Sequence, residues 1–275
     1  MRNQQPGVVM SLSILFFLLL TGVLAGVLSG LLGLGGGIVV VPILAYLFQH
    51  GLKEIVPNAL VMHMAVATSL VSILLVSLTS AYAHQRKGSV RWDIWQRWVV
   101  GLMVGSLIGS YCMTILNVVW LRNLFAVFLL LVVLKLLIEH RLPKIQLPMK
   151  TPFLFCIGLL MGAFSGTLGV GGGILMMPVL LGLGCTMSES AATSSASMVP
   201  LSLIATVSFI VLGDAQQIHV AWSIGYIFWP AVVIIGFSGL IFAPLGAKLS
   251  YLLPAIWTKR ILALLLCIVS LQMLR

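Results

Sequence analysis

Apolar runs of about twenty residues, parted by brief polar punctuation, fill nearly the whole chain. A helix needs roughly that length to cross a bilayer. The two-residue alternation of a membrane β-barrel strand is absent from the pattern. Two runs end in glycine-rich stretches, each followed by a short apolar helix, Ile38–Phe48 and Ile174–Leu183. Longer segments follow each of these: Ala59–Ala83, Ile94–Leu116 and Asn123–Ile138, then Ser190–Leu212, Val220–Leu245 and Ile261–Leu274. A helix of about 11 residues rises only some 16 Å, half a bilayer. The pattern therefore predicts broken helical hairpins with their glycine turns at membrane depth.

The chain is written twice. "SGLLGLGGGIVVVPIL" from Ser29 returns as "SGTLGVGGGILMMPVL" from Ser165, with ten of sixteen positions identical at an offset of 136. Further on, Ala67–Ser69 recurs at Ala192–Ser194, Gly109 pairs with Gly246, Trp120 with Trp257, and Arg122 with Lys259. Two repeats, 1–138 and 151–275, are joined by a polar linker, 139–150, with a cytoplasmic expectation. The first 28 residues have the look of a signal peptide, yet Phe17, Leu18, Gly22, Leu24 and Gly26 match Phe153, Leu154, Gly158, Leu160 and Gly162. A cleaved leader has no reason to copy a later segment, so this one reads as retained.

Charge changes the picture by orienting it. Only 7% of residues are charged and mean hydropathy is +1.19, too few charges for a water-facing surface. The net charge of +10 reflects Lys and Arg in short connections, the positive-inside signature, with attraction to anionic lipid rather than nucleic acid. Arg86, Lys87, Arg91 and Arg97 cluster after the first long segment of repeat one, whereas the equivalent "GDAQQIH" has no Lys or Arg and Lys248, Lys259 and Arg260 come later. Such reversal is expected of inverted repeats. The fold class read from this is an all-α polytopic membrane protein of two homologous inverted repeats, each a glycine-broken hairpin plus three transmembrane helices. Both termini then lie outside. A parallel arrangement with single crossings places almost as many basic residues inside.

Candidate chemistry is sparse. After Gly35, Gly36 and Gly37, and after Gly171, Gly172 and Gly173, a helix begins whose first N–H groups lack helical partners. With the positive end of the helix dipole they suit an anion. Gly33 and Gly169 complete the two turns. Hydroxyls at Ser29, Thr68, Ser69, Ser165, Thr193 and Ser194 can donate to an oxyanion, or equally bond across helices and to their own backbone. Gly22, Gly26 and Gly30, like Gly158 and Gly162, have the four-residue spacing of close helix packing. His84 adjoins "QRKG" and reads as interfacial. Cys112, Cys156, Cys185 and Cys267 form no CxxC pair and read as apolar filler. There is no HExxH, no plausible aspartyl pair and no facing histidines for haem, so neither an enzyme, a metal site nor a cofactor is expected.

At these residues a resemblance enters. The paired glycine–proline segments, the "ATS" segments and "AHQRKGSVRW" resemble the sulfite exporter (TauE/SafE) family of bacterial membrane permeases. The motif falls on Gly33, Gly35–Gly37 and Pro42, and on Gly169, Gly171–Gly173 and Pro178. The resemblance implies an inner-membrane transporter of sulfite or organosulfur anions such as sulfoacetate, with no catalytic residues. Its expected partners are a small anion and membrane lipid, with no nucleic acid; homo-oligomerisation is left open. A passive anion channel and a membrane assembly subunit are the competing readings.

Overall fold

The computed structural model describes residues 12–33, 35–138, 148–216, 218, 220–249, 267 and 270. Nine α-helices appear among them: α1 (Leu12–Leu32), α2 (Gly37–His50), α3 (Val61–Gln85), α4 (Trp92–Ile115), α5 (Val118–Ile138), α6 (Thr151–Leu168), α7 (Gly173–Gly182), α8 (Met187–Ala215) and α9 (Trp229–Leu249). Six of these (α1, α3, α4, α6, α8 and α9) are long and apolar enough to cross a membrane. The protein is thus a multi-pass helical membrane protein. Apart from residues 267 and 270, the expected final helix, 261–274, lies outside the described residues, as do residues 139–147 of the linker.

The short helices stand where the glycines predicted them. α2 has 14 residues and α7 has 10, about 21 and 15 Å. Each contains a proline, Pro42 or Pro178, with no N–H for the carbonyl four residues back. One element differs from expectation. Residues 220–228, read as the start of a helix, form a small antiparallel hairpin of β1 (Ser223–Ile224) and β2 (Ile227–Phe228) before α9 begins. Trp222 and Gly225 both take positive φ, 62° and 58°, which a right-handed helix excludes.

Packing crosses between the repeats. Along α1, a side chain at Gly22, Gly26 or Gly30 would collide with the backbone of α9 at Ile235, Gly239 and Ala243 in turn. Along α4, Gly101, Gly105 and Gly109 meet Phe155, Leu159 and Ala163 of α6 in the same ascending order. Both pairs therefore run parallel, with their backbones as close as small residues allow. The packing role expected of Gly22, Gly26, Gly30, Gly158 and Gly162 is what they perform. α4 also ascends with α8, through Trp98–Ser197 and Ser106–Leu201 hydrogen bonds. At the centre α3 and α8 run in opposite senses: Ser80 meets Ser195, while Ile73 and Met198 both reach Gly35.

The ends of the molecule follow from these directions. One end gathers Arg86, Lys87, Arg91 and the N-termini of α4, α6 and α8, and Arg97 donates to the Met149 carbonyl there at 2.7 Å. The other gathers the N-termini of α1, α3, α5 and α9, joined by Phe48 against Phe228 and by His63 stacked on Tyr226.

Candidate functional site

The two glycine turns share one backbone geometry. Gly33, Gly35 and Gly36 have φ of 62°, 76° and 72°, and Gly169, Gly171 and Gly172 have 73°, 74° and 73°. Left-handed conformations of this kind are open to glycine at little cost. The crowding is equally matched. A Cβ on Gly33 would lie 2.5 Å from the Ala191 oxygen, and one on Gly169 would lie 2.9 Å from the Val66 Cα. The turns also abut: a Cβ on Gly37 would stand 2.5 Å from the Gly169 oxygen. All these glycines, with Gly173, are buried.

Gly36 and Gly172 are the N-caps, with no side chain capping either helix. Hydrogen bonding in the first turn starts only with Val39 and Val40 donating to the Gly36 carbonyl, and Leu175 and Met176 to that of Gly172. The preceding amides therefore carry the partial positive charge of each helix start. Ser165 and its sequence equivalent Ser29, 1% and 0% exposed, each have an Oγ without a hydrogen-bond partner among the described residues. Ser165 Oγ lies 3.2 Å from where a Cβ of Gly172 would be, so this hydroxyl faces the helix start. A buried hydroxyl without a partner costs about 1–3 kcal/mol. Here that cost is carried at both equivalent positions.

The other four hydroxyls are already committed, in a symmetric pattern. Ser69 Oγ donates to the Gly169 carbonyl at 3.0 Å, and Ser194 Oγ donates to the Gly33 carbonyl at 2.8 Å. Each serine thus clamps the glycine turn of the opposite repeat. Thr68 Oγ1 accepts from the Phe228 amide at 3.0 Å and Thr193 Oγ1 from the Arg91 amide at 2.9 Å. Phe228 and Arg91 immediately precede α9 and α4. Each threonine therefore satisfies an N–H at a helix start of the other repeat. Ser72 and Ser197 donate back to the Thr68 and Thr193 carbonyls. The repeated A-T-S-x-x-S spacing carried this last pair in the sequence, where it went unread.

Between the turns lies an apolar pair that the sequence did not single out. Ile73 and Met198 occupy equivalent positions near the middle of α3 and α8, and both touch Gly35 and Gly171. No charged side chain and no cluster of three His, Cys, Asp or Glu is found there among the described residues. His84, near the C-terminal end of α3, is buried against its neighbouring helices with Nε2 3.1 Å from the Gly30 carbonyl. It secures α3 to α1 near the Ser80–Ser195 contact of 3.0 Å.

The family model for the sulfite exporter TauE/SafE matches residues 18–273, nearly the entire chain. The chain belongs to the TauE/SafE family. A probable membrane transporter protein of Haemophilus influenzae is 30% identical over 256 residues, covering 93% of this chain and 96% of its own length. One from Methanocaldococcus jannaschii is 26% identical over 268 residues, covering 96% of each chain. A third, from Bacillus subtilis, is 27% identical over 227 residues, covering 74% of this chain and 80% of its own. No solved structure matches the chain. As a TauE/SafE member of this length, the protein carries both glycine turns within the matched region.

Proposed function

We propose that the protein is a secondary carrier of small sulfur-containing anions across the bacterial inner membrane, with sulfite, sulfonates such as sulfoacetate, and thiosulfate as the substrate class and export as the direction. The observation that carries this is the matched pair of half-helix starts, together with unpartnered buried hydroxyls at the equivalent Ser29 and Ser165, the latter facing its helix start. Ser29 and Ser165 with the amides after Gly36 and Gly172 offer donors and partial positive charge, and no full charge to hold the anion too tightly. Neutral donors alone suit an oxyanion and not a cation.

The parallel packing of α1 with α9 and of α4 with α6, together with the opposed run of α3 and α8, supports inverted repeats of 1–138 and 151–275. Both hairpins then return to the side they entered, and the end bearing Arg86, Lys87, Arg91, Arg97 and Lys150 is cytoplasmic by its positive charge. The Ile73–Met198 pair favours a carrier over the passive channel. It lies against both turns, and alternating access requires one side at a time to open past it.

The test is efflux of labelled sulfite from proteoliposomes, with and without unlabelled sulfite outside. A carrier gives saturable efflux accelerated by the external anion; efflux linear in concentration and indifferent to it would establish a channel. No flux of sulfite, sulfoacetate or thiosulfate would remove the substrate class.

A further inference from the structure

A second site lies away from the glycine turns, at the end of the molecule opposite Arg86 and Lys87. A cavity of about 820 Å³ opens between α1, α2 and the first turns of α3 and α5. Its walls are mainly hydrocarbon, from Leu20, Leu24, Ile43, Met62 and Val118 among others. At its edge Phe17 and Tyr46 are each 51% exposed, so the cavity is open sideways to where lipid would lie. Thr21 is spent on the Phe17 carbonyl at 2.6 Å, and His50 on that of Tyr46 at 3.1 Å.

Among the described residues, one arginine reaches this apolar space. Arg122 lines the cavity, and its Nε is buried with no hydrogen-bond partner among the described residues. Among the described residues neither Asp nor Glu lines the cavity. A guanidinium always keeps its charge and presents a fork shaped for carboxylate, sulfonate or phosphate oxygens. A guanidinium with a buried, unpartnered Nε at one end of a hydrocarbon-walled cavity fits a ligand with an oxyanion head and an apolar tail. Inorganic sulfite would leave those walls unfilled.

We propose that this cavity binds an amphiphilic organic anion, its oxyanion head on Arg122 and its hydrocarbon tail between α1 and α2. The head chemistry is common to a soluble alkyl sulfonate and to an anionic lipid. This site stands whether or not the glycine turns bind sulfite.

The probe is octane-1-sulfonate, titrated onto the purified full chain in a non-ionic detergent and counted by native mass spectrometry. One molecule bound per chain is expected, with octan-1-ol and octyltrimethylammonium failing to bind. Arg122→Gln weakens the complex about tenfold or more, and Arg122→Lys, which keeps the charge but loses the fork, falls between. Ala45→Trp, which fills the cavity from α2, abolishes binding with the arginine intact. Repeating the titration in nanodiscs separates the sources. Loss of octanesulfonate binding on replacing phosphatidylcholine by phosphatidylglycerol identifies a lipid occupant; retention identifies a soluble sulfonate. Equal binding by wild type and Arg122→Gln, or no binding to wild type, overturns the proposal.

Discussion

Six hydroxyls that look alike in the sequence divide into two kinds in the structure, and the division can be measured. Ser69 and Ser194 each satisfy a buried carbonyl in the opposite repeat. Ser69→Ala or Ser194→Ala leaves that carbonyl without a partner, at a cost of about 1–3 kcal/mol, and should lower the melting temperature of the purified protein. Ser29→Ala and Ser165→Ala remove a hydroxyl that bonds to nothing among the described residues, so melting should hold or rise. If these two hydroxyls meet the anion, the same variants raise the sulfite KM severalfold, and Ser29→Ala/Ser165→Ala together more than either alone. Unchanged KM in the double variant would remove the serines from the site. Glycine replacements act otherwise. Gly36→Leu or Gly172→Leu forces a side chain into left-handed backbone, at about 1–2 kcal/mol before any clash is counted, and should abolish transport. Normal flux in both variants would sink the half-helix site.

Among the elements, what the sequence made legible depended on whether the cause was local. The two short helices could be read because three glycines precede an apolar run too short to span. The close packing of α1 could be read because four-residue glycine spacing records a helix contact whatever the partner is. The hairpin at 223–228 was missed because its residues are as apolar as the helix that follows; only the positive φ of Trp222 and Gly225 marks the break. The threonine and serine clamps were illegible for a different reason. Their partners are backbone groups some 100 to 161 residues away, and a carbonyl has no letter in the sequence. The burial of His84 against Gly30 was hidden by the basic residues beside it. Helix contact also makes its own prediction. A Cβ at Gly105 would lie 2.0 Å from the Leu159 oxygen, so even Gly105→Ala must push α4 from α6. It should melt several degrees lower, whereas Gly88→Ala, with open space around it but positive φ, should lose only about 1–2 kcal/mol.

For the whole molecule, the sidedness argued from helix direction is open to chemical labelling. Cysteines placed singly at Lys53 and Trp222, in a background lacking the four native cysteines, should react with an impermeant thiol reagent in intact cells. Cysteines at Lys87 and Lys150 should react only after the membrane is opened. Labelling of Lys87→Cys or Lys150→Cys in sealed cells would refute this sidedness.

The crossed packing of α1 on α9 and α4 on α6 has a consequence for how the protein is made. Neither α1 nor α4 finds its closest helix partner within its own repeat. When the ribosome has delivered α1 to α5, the glycine faces of α1 and α4 have nothing yet to close against, and they must wait in lipid until α6 and α9 are synthesised. Assembly is therefore late. A chain halted at the linker should be a ready substrate for membrane proteases, and it should be rescued by supplying the second repeat as a separate polypeptide.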